Sequence, residues 1–254
     1  MSIKQIKAHL AQYKEEKLNI YECGEYWKNK KKYGHILPLE KKYENIIDQG
    51  FKNDLIKYLS DNSEHLGFHH LNSSQALALN LFGPLFEKRK VCIIDSSMKE
   101  NQFSAKFEHI EDKREETNFD VFIESGNDKY FFEVKYSENN FGKAKDDIGH
   151  KQKYEEIYKE KLKEITDISE NEFYKDYQLW RNILYAEKGI VYFVIPGFRD
   201  DLINQIENAK KKIKNENLKE KIKIIIIEEL VKKCKKEPAL VKHYEEFEEK
   251  YLNF

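Results

Sequence analysis

Two acids and a lysine in this chain carry spacing that could do chemistry. Asp120 is followed, after twelve residues, by Glu133-Val134-Lys135, and both acids lie in runs of β-branched and aromatic residues where a purely structural strand favours Val or Ile. The runs meet at Gly126-Asn127, and Gly supplies the positive φ of a tight hairpin turn. A hairpin turning there sets Asp120 opposite Glu133 on one sheet face, with Cβ atoms roughly 5 Å apart. Lys135, two residues on, points to the same face. Two carboxylates so close repel unless a cation lies between them. Hard oxygen ligands of this kind, with the Val134 backbone carbonyl beside them, suit Mg²⁺. A lysine beside the ion can orient or help deprotonate a water and offset charge building on a phosphate. Glu-x-Lys recurs elsewhere, for example at Glu15 and Lys17, but only Glu133 and Lys135 sit inside an apolar strand that follows a second acid-bearing strand. The plain structural alternative is a cross-strand salt bridge on an exposed hairpin face.

A sheet and covering helices must hold such a site. Residues 104–111 alternate as a strand, with Ala105, Phe107, His109 and Glu111 on one side and Lys106, Glu108 and Ile110 on the other. They lead through a polar turn, 112–116, into the hairpin, and either Glu108 or Glu116 is available as a further carboxylate. Asn72-Ser73-Ser74 starts a helix over an apolar run that Gly83-Pro84 should stop or kink. Gln75 and Asn80 are polar exceptions in that run with no evident role. Residues 151–165 form a charged amphipathic helix. In a helix over 173–187, Phe173, Tyr177, Trp180 and Leu184 make a core stripe. Gln178, Arg181 and Asn182 cluster on a different face, where they serve either an active-site carboxylate or phosphate, or a capping network. Residues 190–195 and 222–227 read as buried strands, the first parallel to a hairpin strand. Helices at 201–212 and 239–251 complete the tail.

Ahead of this core, residues 3–18 and 39–60 are helical, the second broken near Gly50. Between them residues 26–33 interleave aromatics with lysines, Lys30 and Lys31 among them, a composition suited to phosphate contacts or to a solvated loop anchored by Tyr26 and Trp27. Past Lys135, a polar loop with Asn139 and Lys143 is placed to touch a substrate backbone. His69-His70 has no acid or cysteine at ligand spacing and reads as structural or as part of the surface.

The 254 residues suffice for one large domain, divided as an N-terminal helical extension (1–68), a core (69–197) and a C-terminal helix-strand-helix extension (198–254). Lys and Arg number 45 against 46 Asp and Glu, so any nucleic-acid contact must come from local patches. Three scattered cysteines and no apolar leader point to a reducing, cytoplasmic setting, and no apolar run is long enough to span a bilayer.

The combination of 71–76, 116–120, 132–138 and 177–182, with His35-Ile36-Leu37-Pro38 in front, resembles a bacterial family of restriction endonucleases within the PD-(D/E)XK nuclease superfamily. That resemblance implies an α/β (α+β) fold with an α-β-β-β-α-β core, its mixed sheet flanked by helices. It implies a metal on Asp120 and Glu133, Lys135 as third catalytic residue, and Gln178 facing the active site from the following helix. Phe119 stands where the superfamily pattern has Pro. The implied activity is Mg²⁺-dependent hydrolysis of double-stranded DNA, with Mn²⁺ able to substitute, by a homodimer and with a cognate methyltransferase in the same system. A repair or structure-specific nuclease, an RNase, or an idle DNA-binding module on the same core stay open.

Overall fold

The computed structural model describes residues 1–59 and 64–254. Helix α1 (Ile3–Glu16), the small hairpin β1 (Gly24–Glu25) and β2 (Lys32–Tyr33), α2 (Lys52–Lys57) and α3 (Ser74–Glu87) precede the meander β3 (Phe103–Ile110), β4 (Asn118–Ser125) and β5 (Asp128–Val134). After the meander come α4 (Ile148–Lys153), α5 (Lys159–Ile165), α6 (Glu170–Lys175), α7 (Tyr177–Leu184), β6 (Ile190–Ile195), α8 (Asp200–Lys211), α9 (Glu216–Glu220), β7 (Ile222–Ile226), α10 (Ile227–Cys234) and α11 (Val241–Tyr251). The main sheet has the order β3-β4-β5-β6-β7, antiparallel through β5 and parallel from there. The expected α-β-β-β-α-β core is therefore present, with α3 first and α6–α7 as the crossover.

The β4–β5 turn fixes the register. Ser125 pairs with Asp128, Gly126 has φ +63°, and the ladder continues to Val121 opposite Phe132, as a turn at Gly126-Asn127 requires. Val121, Ile123, Phe132 and Val134 pack into the layer of α3, α10 and α11, whereas Phe122, Phe131 and Phe193 pack into the layer of α5–α8.

Alternation along β3 breaks at Glu108. Phe107 lies in the α3 layer, but His109 stacks on Phe122 of the other layer at 4.2 Å. Glu108 between them holds φ +54°, a left-handed backbone that is unusual for a non-glycine residue. Opposite it, β4 makes the same switch: Phe119 packs on Phe131 and Tyr185, each 5.0 Å away, in the layer opposite to Val121. Residues 108 and 120 thus face one another where both strands change sides.

Several expectations are corrected. Pro84 does not stop α3, which runs on to Glu87. Proline leaves the Asn80 carbonyl without its usual donor four residues on, and the His243 ring supplies one at 2.7 Å. The helix expected over 173–187 breaks at Asp176 (φ −120°, ψ 44°) into α6 and α7, although its core stripe is buried as expected. Strand β7 is the sheet edge, and only Ile222 of it is fully buried. Of 39–60, only a 3₁₀ turn at Leu39–Asn45 and α2 are helical; Ser60 lies outside the described residues. The charged helix at 151–165 passes through a π turn, Tyr154–Tyr158. Among the described residues no helix is long and apolar enough to cross a membrane.

His243 makes a stability prediction. Burial pushes its imidazole from 6.5 down to about 4. Because the folded value is the lower one, this stability is complete above pH 6.5 and is lost as pH falls through 4, amounting to about 3 kcal/mol for a shift of that size. Urea melts between pH 7 and 4 should show the loss, and His243→Gln, which keeps a donor for Asn80, should flatten it. An unchanged slope in that variant assigns the acid sensitivity to other groups.

Candidate active site

The hairpin delivers the chemistry to the point where β4 and β5 part. Beyond Val121–Phe132 the ladder stops, and the Asp120 carboxylate takes the place of a backbone acceptor: its Oδ2 accepts the Val134 N–H at 2.7 Å. Asp120 is half-buried. Burial, then Glu133 and Glu108, push its carboxyl well above the usual range.

Glu133 and Lys135 are 2 % and 7 % exposed and form an ion pair at 2.9 Å. Helix α7 completes the arrangement. Gln178 accepts from Lys135 Nζ at 2.9 Å and donates to Glu133 Oε1 at 2.8 Å, while Asn182 donates to Glu133 Oε2 at 2.8 Å. Burial alone would lower the Lys135 pKa, but Glu133, Glu138 and Asp120 outweigh it and raise it. The site holds more carboxylate than cation, and that excess adds to the effect of burial on Asp120.

Arg181 does not join Gln178 and Asn182. Its guanidinium lies over the Tyr177 ring, 4.8 Å from the centroid, with Nε buried and unpartnered. At about 100° per residue, positions 181 and 182 fall on opposite flanks of 178, so only one of them can share its target.

The loop after β5 is anchored beside the lysine. Phe141 is buried, edge-on to Phe193 at 5.3 Å, and its ring centroid is 5.8 Å from Lys135 Nζ. Asn139 and Lys143 stand exposed on either side of that anchor. Lys30 and Lys31 are exposed on the β1–β2 loop, where Lys30 pairs with Glu25 at 3.3 Å, and the structure gives them no contact with the site.

Of the two further acids, Glu108 lies near Asp120 and Glu116 does not. Glu116 turns outward to Lys153. Glu108 faces Asp120 and is gripped from the α3 side: Gln75 donates to Oε1 at 3.0 Å, and His65 Nε2 stands 2.9 Å from Oε2, which also receives the Asn118 amide. Sequence reasoning missed His65 altogether and left Gln75 without a role. It also missed Arg199, 4 % exposed, which donates to the Tyr136 and Glu138 carbonyls at 2.8 and 2.6 Å and so fixes the chain just past Lys135. A lone arginine after Pro196-Gly197 carries no sequence signal for that.

Among the described residues no three His, Cys, Asp or Glu side chains gather tightly enough to hold a metal. Asp120 and Glu133 are the carboxylates that could hold a cation here; water or substrate oxygens would have to complete its shell, a mixed set that would suit Mg²⁺.

A five-stranded mixed sheet between helical layers, with an acid and a Glu-x-Lys on adjacent strands, is the build of restriction-endonuclease-like proteins. The chain matches, over residues 7–252, the family described as Restriction Endonuclease associating with ARP, and it belongs to that family. No match is found among curated proteins or among solved structures. The family places the protein among nucleases of the restriction type, which act on DNA.

Proposed function

We propose that the protein is a Mg²⁺-dependent endonuclease of defence type that hydrolyses phosphodiester bonds in double-stranded DNA, with Mn²⁺ able to replace Mg²⁺. The observation that carries this reading is the Glu133–Lys135–Gln178 network beside an Asp120 whose carboxyl is pushed up by burial and by neighbouring acids more than Lys135 offsets. Asp120, Glu133 and the Val134 carbonyl would hold a divalent ion, which would offset the surplus negative charge and would supply Lewis acidity at the phosphate. Lys135 orients the attacking water and offsets charge on the phosphate oxygens. Gln178 and Asn182 hold the Glu133 carboxylate and the Lys135 ammonium in place. Asn139 and Lys143 meet the DNA backbone at the rim. A two-fold dimer presents one such site to each antiparallel strand.

Purified protein incubated with plasmid and oligonucleotide DNA should cut in Mg²⁺ or Mn²⁺ and be silent in EDTA. Because the family is described as associating with ARP, that partner is included in a parallel arm. Protein that binds DNA yet leaves plasmid, oligonucleotide and RNA intact in every arm would be an idle binding module. Within the same assay Gln178→Ala should lower cleavage about 10- to 100-fold with an unchanged circular dichroism spectrum, the usual effect of losing a partner that orients a ligand. Full activity in that variant would make α7 a structural support only.

A further inference from the structure

We propose that His65, oriented by Glu108, is the group that protonates the leaving oxygen, a catalytic role additional to the Asp120, Glu133 and Lys135 set. The inference rests on the nuclease reading above. Its basis is a built pair at the same opening of the sheet. The Glu108 side chain is 5 % exposed and the His65 side chain 50 %, so one member is anchored and the other faces solvent, with Nε2 on Glu108 Oε2 at 2.9 Å. Gln75 clamps both: its Oε1 accepts the His65 backbone N–H at 2.9 Å and its Nε2 donates to Glu108 Oε1 at 3.0 Å. Asn118 adds a further donor to Glu108. With Nε2 taken, Nδ1 is the nitrogen left for a substrate.

Position supports the assignment. Glu108 lies opposite Asp120 across the two strands at the place where both change faces, and it reaches there through its left-handed backbone. Strain of this kind is retained where the surrounding contacts fix a side chain for a purpose. Charge agrees: the groups acting on His65 are Glu108 and, more remotely, Glu133, both anions, and they raise its pKa against the opposing effect of burial. An imidazole whose charged form is favoured by a buried carboxylate on one nitrogen can donate a proton from the other.

The step balances without any other reactant. Water oxygen bonds to phosphorus and gives up a proton to solvent. The bond from phosphorus to the leaving oxygen breaks with its electron pair going to that oxygen, which takes the proton from Nδ1. Solvent then reprotonates the ring. Glu108 and Gln75 act only through His65 and are positioning residues.

The test compares a DNA duplex that the wild-type protein cuts with the same duplex carrying sulfur as the leaving atom, since a thiolate leaves without a proton. His65→Ala should lose about 100-fold or more on the oxygen substrate, within the range for general acids, and close to nothing on the sulfur substrate. Glu108→Gln should show the same pattern more weakly, and thermal melts of both variants check that the fold is kept. Equal losses on both substrates, or no loss on the oxygen substrate, would overturn the proposal. Failure of the underlying reading looks different: wild-type protein then cuts neither duplex and Mn²⁺ binding is insensitive to Asp120→Asn.

Discussion

Asp120→Asn is expected to lower DNA cleavage about a thousandfold while making the metal-free protein more stable. The first half follows from ligand chemistry. An amide is a poorer ligand for Mg²⁺ than a carboxylate, and charge stabilisation by the ion is worth several kcal/mol in the transition state, with about 1.4 kcal/mol for each factor of ten. The second half follows from the electrostatics of the pocket. Asp120 is raised by burial and by Glu133 and Glu108, so its ionised form is an unfavourable neighbour, whereas Asn keeps an oxygen for the Val134 N–H and removes the charge. For a chain of this size each kcal/mol recovered raises Tm by about 2–4 °C. Calorimetric titration with Mn²⁺, melts in EDTA and single-turnover cleavage read the three consequences. A variant that binds Mn²⁺ like the wild type and still cuts would remove Asp120 from the metal site.

Lys135→Ala should produce the complementary pattern, with metal binding retained and turnover reduced by orders of magnitude. Its ammonium is the only cation in contact with the buried Glu133 among the described residues. Removing one partner of a buried pair typically costs about 3–5 kcal/mol, because the remaining charge is left without compensation. In this variant a divalent ion should restore much of that loss, so melts in EDTA and in Ca²⁺ or Mn²⁺ should differ more than they do for the wild type. The kinetic loss should persist when the ion is saturating, since Lys135 contributes to the phosphate and water and not to the ligand set. If the stability gap fails to widen, the ion does not sit beside Glu133.

The parts legible in the sequence were those written locally. Gly126-Asn127 set the hairpin register and with it the placing of Asp120 at the Glu133 strand, helical spacing grouped Gln178 with Asn182, and the family resemblance implied that Gln178 faces the active site. The resemblance to restriction endonucleases rested on the same segments and is matched by the family. What stayed hidden depends on distant contacts. The switch of faces at Glu108 is imposed by packing of His109 on Phe122 and Phe119 on Phe131, and nothing in an alternating strand announces it. His65 is drawn to the site by Gln75, ten residues on, and by a strand more than forty residues away. Arg181 was grouped with its neighbours because i+3 and i+4 look alike on paper, though they diverge around a helix. Helix α10 was missed because Ile226 runs straight into Ile227 with no capping side chain to mark the end of the strand.

Helix α3 has a consequence for the timing of events along the chain. Every residue from Gln75 to Phe86 is buried, so it has no face for water. The sheet covers it through Phe82 on Phe132, α2 through Leu55 against Gly83, and α11 through Tyr244 on the Leu81 carbonyl and Tyr251 on the Asn80 amide, 171 residues away. Its amide protons can therefore exchange with solvent only when all three coverings leave together, and they should be the slowest in the molecule. For the same reason α3 cannot settle early in folding on local contacts alone. It waits for the last helix to arrive, a long loop to close before the helix is rewarded, which makes slow refolding a property of the architecture.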